Sequence, residues 1–320
     1  MVIVFKVSPN IQEKMKEFYK DLMRPTNPPY SVFQAQSSDV VVTLYESGKV
    51  MFQGISADIE ASIWKDQEMH LNNRNIDAEI KKKEEKKEKD KTKNEYDTKK
   101  YMNINSIGSD EVGTGDYFGP IIVTATYVPK EKEINLMNLG IKDSKQITDD
   151  TILKLAPQII KEVEYKTFLL NNKDFNKYTT LGYNMNKIKA ILHNKVLYAL
   201  KKEHINEYDK IIVDQFTPPK SYFGYISDAT EIVRDIDFTP KAENKSLAVA
   251  CSSIISRYLF IKEIDKMSNE LNINLPKGAG EQVDDTGVKI ATQFGLDKLN
   301  EIAKVNFKNT EKIKEKMANK

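Results

Sequence analysis

The chain is poor in cysteine and has no long apolar run, and each shortage excludes a class of protein. Its one cysteine, Cys251, rules out an internal disulfide, so we expect a protein of the reducing cytoplasm. Cys251 ends the apolar stretch LAVAC, residues 247–251, which favours a small buried side chain over a nucleophile. No apolar run approaches the roughly 20 residues of a membrane helix. Residues 1–6 lack the basic start of a signal peptide.

Histidine is also scarce. The three histidines, His70, His193 and His204, show no zinc-ligand spacing, and we expect each to lie on the surface or in helix packing. No Gly-x-x-x-x-Gly-Lys-Ser/Thr run occurs, and the segment Gly-Thr-Gly at 113–115 is too short for a dinucleotide fingerprint. Zinc hydrolysis, a histidine relay and phosphate-loop chemistry are therefore disfavoured.

Charge is nearly balanced over the 320 residues, with 49 Lys and Arg against 47 Asp and Glu, a net charge of +2. Any affinity for nucleic acid must therefore come from local patches. Residues 81–100 concentrate ten lysines and six acids (10 − 6 = +4) and contain no aliphatic side chain. This composition predicts a solvated linker over 78–101, between a domain at 1–77 and a domain at 102–320.

The first domain is predicted to be a small α+β module without a catalytic cluster. Ser8 and Pro9 begin a helix, and a second helix over 56–71 is expected to bury Ile59, Ile63 and Trp64. Alternating apolar residues between the helices predict three short strands, at 30–36, 40–46 and 50–53. A docking role for this domain is the natural interpretation.

The second domain alternates strand and helix patterns, which predicts a layered α/β fold. Strands are predicted at 105–110, 121–128, 163–170, 210–213 and 231–237, and helices at 148–161, 184–203, 247–271 and 288–305.

The most informative segment is SDEVGTGDYFGP, residues 109–120, where two carboxylates stand directly before a glycine-rich bend. Neighbouring side chains on a strand point to opposite faces, so Asp110 and Glu111 would share a site only if the backbone bent there. Gly113 and Gly115 permit such a bend. A plain acidic turn between two strands explains this segment equally well on its own.

Two further acids stand out by their context. Asp214 ends the apolar run KIIV, and Glu243 precedes the long helix predicted from 247. Carboxylates placed together repel one another unless cations neutralise them, and oxygen ligands suit Mg²⁺ or Mn²⁺. We therefore predict two-metal phosphoryl chemistry.

The chain resembles bacterial ribonuclease HIII in several separate motifs, which follow the family's order. The segment 110–120 is similar to the family signature, whereas the related ribonuclease HII has arginine in place of Thr114. Further similar segments are 140–145, 184–190, 213–216, 241–245, 248–258 and 275–280 in the second domain. Segments 33–35 and 47–54 resemble the TATA-binding-protein-like extension of that family.

This resemblance implies a ribonuclease H-like mixed sheet flanked by helices, preceded by a small α+β TATA-binding-protein-like domain. It implies an endonuclease that cuts the RNA strand of RNA–DNA hybrids and leaves 5′-phosphate and 3′-hydroxyl ends. Two Mg²⁺ ions, or Mn²⁺ as the alternative, would be held by four residues that match the family's ligands: Asp110, Glu111, Asp214 and Glu243. Without the arginine at Thr114, a run of several ribonucleotides is the expected substrate.

Substrate contacts are predicted in three groups. By the resemblance, the backbone of Gly113, Thr114 and Gly115 contacts ribose hydroxyls. Phosphate contacts are predicted at six residues that carry a positive charge or a hydroxyl or amide donor: Lys142, Ser144, Lys145, Asn184, Lys187 and Lys189. We expect a monomer with an RNA–DNA hybrid as its partner, no obligate protein partner and no membrane. The competing hypotheses are a non-catalytic hybrid-binding protein and a metal nuclease acting on DNA.

Overall fold

A computed structural model describes residues 1–82, 99–141 and 147–319, in two compact units, Met1–Lys93 and Asn94–Lys320. The predicted linker lies largely outside the described residues, and the predicted domain boundaries remain a prediction. In these described parts of the chain, no helix combines the length and the apolar character that crossing a membrane requires.

Within its described residues, the first unit pairs a four-stranded antiparallel sheet, in the order β1-β4-β3-β2, with the helices α1 and α2, and residues 76–82 are helical as well. Phe33 and Ala35 are buried while Gln34 between them is half-exposed, as the alternation of strand β2 requires. The bounds are β1 Val2–Lys6, α1 Pro9–Phe18, β2 Ser31–Ser37, β3 Val40–Tyr45, β4 Lys49–Gly54 and α2 Ala57–Asn72.

Two predictions for this unit were wrong. The sheet has a further strand, β1, which pairs with β4 more than forty positions along the chain, so no local turn signal marks it. Helix α2 buries Trp64 as predicted, but Ile59 and Ile63 are 64% and 41% exposed. The buried stripe runs instead through Ala57 and Ala61, whose small side chains form the inner face of the helix.

The second unit contains a five-stranded mixed sheet, in the order β7-β6-β5-β8-β9, among its described residues. Strands β5, β8 and β9 are parallel, while β6 pairs antiparallel with both β5 and β7. The strands are β5 Ser106–Val112, β6 Ile121–Val128, β7 Glu164–Leu170, β8 Lys210–Asp214 and β9 Ile236–Thr239.

Helices cover both faces of this sheet. Their bounds are α3 Glu133–Asn138, α4 Asp149–Glu162, α5 Asn172–Thr180, α6 Met185–Glu203, α7 Pro219–Tyr225, α8 Leu247–Leu271, α9 Glu281–Phe294, α10 Asp297–Ile302 and α11 Lys308–Ala318. Helix α6 shares one apolar cluster with the inner strands, and α8 shares another with α4. The predicted mixed sheet with flanking helices is confirmed.

Helix α8 lies unusually close to β5, because Gly108 leaves room for it. A Cβ atom at Gly108 would collide with the backbone of Ala248 and Val249. The Ser252 hydroxyl donates to the Gly108 carbonyl over 2.9 Å, which ties the helix to the strand. Cys251 is fully buried in this layer, as predicted, and burial raises the pKa of its thiol to about 12.

Two predicted elements in this unit were misplaced. The strand expected at 231–237 is β9, Ile236–Thr239, and the helix expected at 288–305 is divided into α9 and α10. Gly295, with φ of 85°, ends α9 in a conformation that continues no helix.

Candidate active site

The carboxyl ends of two neighbouring parallel strands carry the first two candidate ligands. Ser109 of β5 pairs with Val213 of β8, so Asp110 and Asp214 follow side by side at this edge of the sheet. Ligand sites of open α/β sheets favour this edge. The negative charge of Asp214 helps to raise the pKa of Asp110, so the two carboxylates interact electrostatically.

The backbone bends at the predicted glycines but not at the acidic pair. Strand β5 keeps its regular pairing with β6 through Glu111 and Val112, and the chain turns at Gly113, which has φ of 88°. Asp110 and Glu111 therefore face opposite sides of the sheet. Asp110 interacts with Ser253 of α8, whereas Glu111 contacts α6.

Glu111 is held by a basic pair on helix α6. Lys189 Nζ contacts one carboxylate oxygen, and His193 Nε2 lies 2.9 Å from the other. His193 is fully buried, and its Nδ1 lies 2.7 Å from Ser109 Oγ. Phe216 supports both basic groups, with the Lys189 ammonium 4.0 Å and the His193 ring 5.4 Å from its ring centroid. This arrangement fixes the carboxylate at the end of β5.

The two adjacent acids have opposite pKa shifts. Burial, followed by the charge of Glu111, raises the pKa of Asp110 to about 8. Burial would also raise the pKa of Glu111, but the hydrogen bond and charge of His193 and the charge of Lys189 outweigh it and lower that pKa to about 2. Of this pair, only Glu111 has a cationic partner among the residues that the structure describes.

Glu243 lies in a short 3₁₀ turn, Ala242–Asn244, next to the sheet edge. The Ala242 amide donates to Asp214 Oδ1 over 3.0 Å, so the turn is fastened to the second ligand candidate. Glu243 is 4% exposed and lines a small cavity with Tyr101 and Ala250. Among the residues that the structure describes, no three Asp, Glu, His or Cys side chains form a ready metal-binding group.

The donor set nevertheless fits a hard divalent cation. It consists of carboxylate oxygens at a sheet edge, where burial, followed by the charges of Glu111 and Asp214, raises the pKa of Asp110. A cation beside Asp110 and Asp214 would remove this penalty, because an opposite charge favours the ionised carboxylate.

The glycine bend shows two different uses of glycine. A Cβ atom on Gly113 would collide with the Pro120 carbonyl, so the protein itself requires glycine there. Gly115 is exposed, its φ is not in the left-handed region, and a Cβ atom there would meet no atom of the described residues within 4 Å. Thr114 between them is half-buried. The face at Gly115 is thus open to an approaching molecule.

The predicted phosphate contacts divide into two groups. Lys142, Ser144 and Lys145 lie outside the described residues. Asn184, Lys187 and Lys189 lie at the beginning of α6, where Asn184 caps the helix by accepting from the Lys187 amide over 2.8 Å. The Lys187 ammonium lies over the Tyr183 ring, 4.1 Å from its centroid.

Sequence reasoning missed His193, which was expected to be an ordinary surface or packing residue. One signal could have identified it: it follows Lys189 by four positions on a helix, and such residues share a face. Lys304, in the same unit, is fully buried, and no pattern around it in the sequence marks a buried charge.

Comparison with known proteins places these residues in context. The family model described as Ribonuclease HII matches residues 107–310, and the model described as Domain of unknown function (DUF3378) matches residues 2–75. The Ribonuclease HIII of Bacillus mycoides is 39% identical over 318 residues, covering 97% of this chain and 96% of that protein. The Ribonuclease HIII of Geobacillus kaustophilus is 38% identical over 311 residues, with the same two coverages.

Solved structures agree with these relatives. The crystal structure of Bst-RNase HIII in complex with Mn²⁺ aligns with a TM-score of 0.68 and 33% identity, covering 100% of both chains. Aquifex aeolicus RNase H3 aligns with a TM-score of 0.53 at 21% identity and supports the fold alone.

Proposed function

The chain belongs to the ribonuclease HIII family and is a metal-dependent ribonuclease H; we propose that it cuts the RNA strand of RNA–DNA hybrids by two-metal hydrolysis. The products in this proposal are 5′-phosphate and 3′-hydroxyl ends. Mg²⁺ is the proposed cofactor and Mn²⁺ the alternative, the latter supported by the Mn²⁺ complex of Bst-RNase HIII.

The observation that carries this proposal is the register of β5 and β8, which places Asp110 beside Asp214 at the carboxyl edge of the sheet. We propose Asp110, Glu111, Asp214 and Glu243 as the metal ligands: Asp110 and Asp214 stand side by side at this edge, whereas Glu111 lies on the opposite face of β5 and, like Glu243, joins the set on the resemblance to the family. Bound divalent ions would neutralise charge at the phosphorus and lower the pKa of the attacking water.

The chain's own residues prepare this site. Lys189 and His193 keep the Glu111 carboxylate ionised and fixed in position. The Ala242 amide orients Asp214 in the same way. A ligand that is already ionised and oriented loses little conformational freedom when a cation binds.

The substrate strand is proposed to approach along the glycine bend. The open face of Gly115 allows close contact between a ribose and the backbone, and the 2′-hydroxyl is the group that distinguishes RNA from DNA. Asn184 and Lys187 would position the phosphates near this bend. Lys142, Ser144, Lys145 and Lys189, the last of them buried against Glu111, remain proposed contacts.

The first unit is proposed to dock the duplex through the sheet face that its helices leave uncovered. Val2 and Val4 of β1 are 58% and 47% exposed on that face, and Gln34 of β2 lies there half-exposed. A sheet face suits recognition of duplex shape rather than base sequence. The proposal includes a monomer that acts in the cytoplasm, where a single buried thiol such as Cys251 requires no disulfide partner.

The test incubates the protein with a labelled RNA–DNA hybrid, a DNA duplex and an RNA duplex, each with Mg²⁺ and with chelator. We expect Mg²⁺-dependent cuts in the RNA of the hybrid alone. Asp110→Asn and Asp214→Asn should abolish cleavage and retain hybrid binding, whereas Asp265→Asn, an identical change at an exposed position of α8, should retain both.

Each other outcome contradicts part of the proposal. Binding without cleavage by the parent protein would indicate a non-catalytic hybrid-binding protein. Cuts in the DNA duplex would indicate a nuclease of different substrate class. Near-normal turnover by either Asn variant would remove that residue from the ligand set.

A further inference from the structure

Lys304 is a fully buried lysine that lies between α10 and α11, and its ammonium group contacts the glycine bend. Its Nζ donates to the carbonyl of Asp116 over 2.9 Å and to that of Gly119 over 2.5 Å. Both acceptors belong to the segment that follows Gly115. Burial lowers the pKa of Lys304 to about 7, against the opposing influence of Asp116, so a charge at this position is costly to the fold.

The surroundings of Lys304 reinforce the same segment. The Lys304 amide donates to the Tyr117 carbonyl over 2.8 Å, and the Gly119 amide donates to Ile302 over 3.0 Å. Phe118 and Ala303 form an antiparallel bridge between these two bonds. The end of the bend is therefore a short two-stranded ladder, and the Lys304 side chain closes it from one side.

A second loop holds the bend from another direction. Gly278 donates to Asp116 Oδ1 over 2.6 Å and accepts from the Tyr117 amide over 2.8 Å. The Asn172 side chain donates to the Gly119 carbonyl over 2.9 Å. The bend is fixed at Asp116, Tyr117 and Gly119, while Gly115 directly before them has no neighbour within 4 Å of its Cβ position in the part of the chain that the structure describes.

We propose that Lys304 is a positioning residue, whose ammonium group holds residues 113–119 in the shape that presents Gly115 to the ribose of the strand to be cut. This inference rests on the proposed function, because the ribose contact belongs to that proposal. Stability alone gives a weak reason for such a lysine, since apolar replacement of buried charges is often neutral or stabilising. A stronger reason for a buried lysine here is that it fixes the position of backbone donors and acceptors that a substrate would contact.

The test measures how strongly cleavage depends on one 2′-hydroxyl group. Two hybrids are compared under single-turnover conditions: one has an all-ribonucleotide RNA strand, and the other carries a single 2′-deoxy nucleotide on the 5′ side of the cut. The ratio of their cleavage rates is independent of the folded fraction of enzyme, because misfolding lowers both rates equally. A purely structural role would therefore leave this ratio unchanged.

The variants are Lys304→Met, which keeps the length of the side chain and removes the ammonium, and Lys304→Gln, which keeps one donor. We expect the ratio to fall about tenfold in Lys304→Met and by less in Lys304→Gln, since small displacements of positioning groups have effects of that order. Lys298→Met removes the same charge from α10, where Lys298 contacts only Glu301 among the described ion pairs. This control should keep the parental ratio.

Two results would overturn the inference: a parental ratio in Lys304→Met, or failure of both Lys304 variants to fold, which would assign the residue to stability. Failure of the proposed function has a different signature. In that case the parent protein itself would not cut the all-ribonucleotide hybrid.

Discussion

Gly113 and Gly115 are separated by one residue, yet the structure requires glycine at only one of them. We expect Gly113→Ala to destabilise the fold by about 1–3 kcal/mol, because a left-handed φ and a collision with Pro120 both oppose a side chain. Gly115→Ala should change stability by less than about 0.5 kcal/mol but lower hybrid cleavage about tenfold. Urea unfolding and single-turnover cleavage measure the two effects.

These two variants serve as controls for each other. If Gly115→Ala cleaved hybrids at the parental rate, the open face at this position would not contact the substrate strand.

Asp110 predicts a pH dependence of the metal-free protein. Its folded pKa, about 8, is raised above the ordinary value of 3.8. The stability that it contributes is fully present below about pH 4 and is lost as the pH rises through about 8. The Asp110→Asn side chain cannot ionise. The free energy of unfolding of this variant, relative to that of the parent, should therefore be at least about 1 kcal/mol higher at alkaline pH than at acidic pH.

The measurement is urea unfolding in chelator at about pH 4 and at about pH 9. Asp265→Asn, at an exposed position, should show no such gain. If the free energies of unfolding of Asp110→Asn and the parent differed by the same amount at both pH values, the raised pKa of Asp110 would be contradicted.

At the residue scale, sequence patterns identified the acids but not their neighbours. Asp110, Glu111 and Asp214 stand at strand ends, and strand ends can be inferred from apolar runs. The contact of His193 with Glu111 depends on how α6 lies across the sheet, and a packing direction of this kind is absent from local spacing. Whether Asp110 and Glu111 bend toward one face depends on their pairing with β6, which is regular at both residues, and this pairing is another long-range property.

Among the elements, the close approach of α8 to β5 makes a further prediction. Gly108→Ala should destabilise the fold by about 1–3 kcal/mol, because the added Cβ forces the helix away from the strand. Gly224→Ala is the matched control: it lies in α7, where a Cβ atom meets no described atom within 4 Å. There we expect a stabilisation of about 0.5–1 kcal/mol from higher helix propensity.

Thermal or urea unfolding of both variants compares the two positions directly. If Gly108→Ala and Gly224→Ala changed the free energy of unfolding equally and in the same direction, the packing of α8 would not depend on the absence of a side chain at position 108.

Elements with a strong local pattern were predictable, and elements defined by distant partners were not. The 25-residue helix α8 matches its predicted range, 247–271, because its apolar residues and the N-cap at Ser246 are local features. Strand β1 has a partner far along the chain and was missed. The exposed positions of Ile59 and Ile63 were also mispredicted, since either of two helical stripes could have faced the sheet.

For the whole molecule, we expect removal of Met1–Lys93 to weaken hybrid affinity more than it lowers the chemical step. The proposed ligands all lie in the second unit, whereas the exposed sheet face of the first unit has no acidic cluster to contribute. Equilibrium binding of an Asp110→Asn background and single-turnover cleavage by the active truncated protein separate the two quantities. Unchanged affinity after truncation would exclude a docking role for the first unit.

Cys251 can serve as an intrinsic probe of opening of the second unit. The thiol is sealed between α8 and the sheet, and its raised pKa keeps it protonated at neutral pH. A thiol-specific dye can therefore react only in molecules whose helix has separated from that layer. The labelling rate under native conditions would report how often the catalytic scaffold opens, with one dye per chain and no engineered tag.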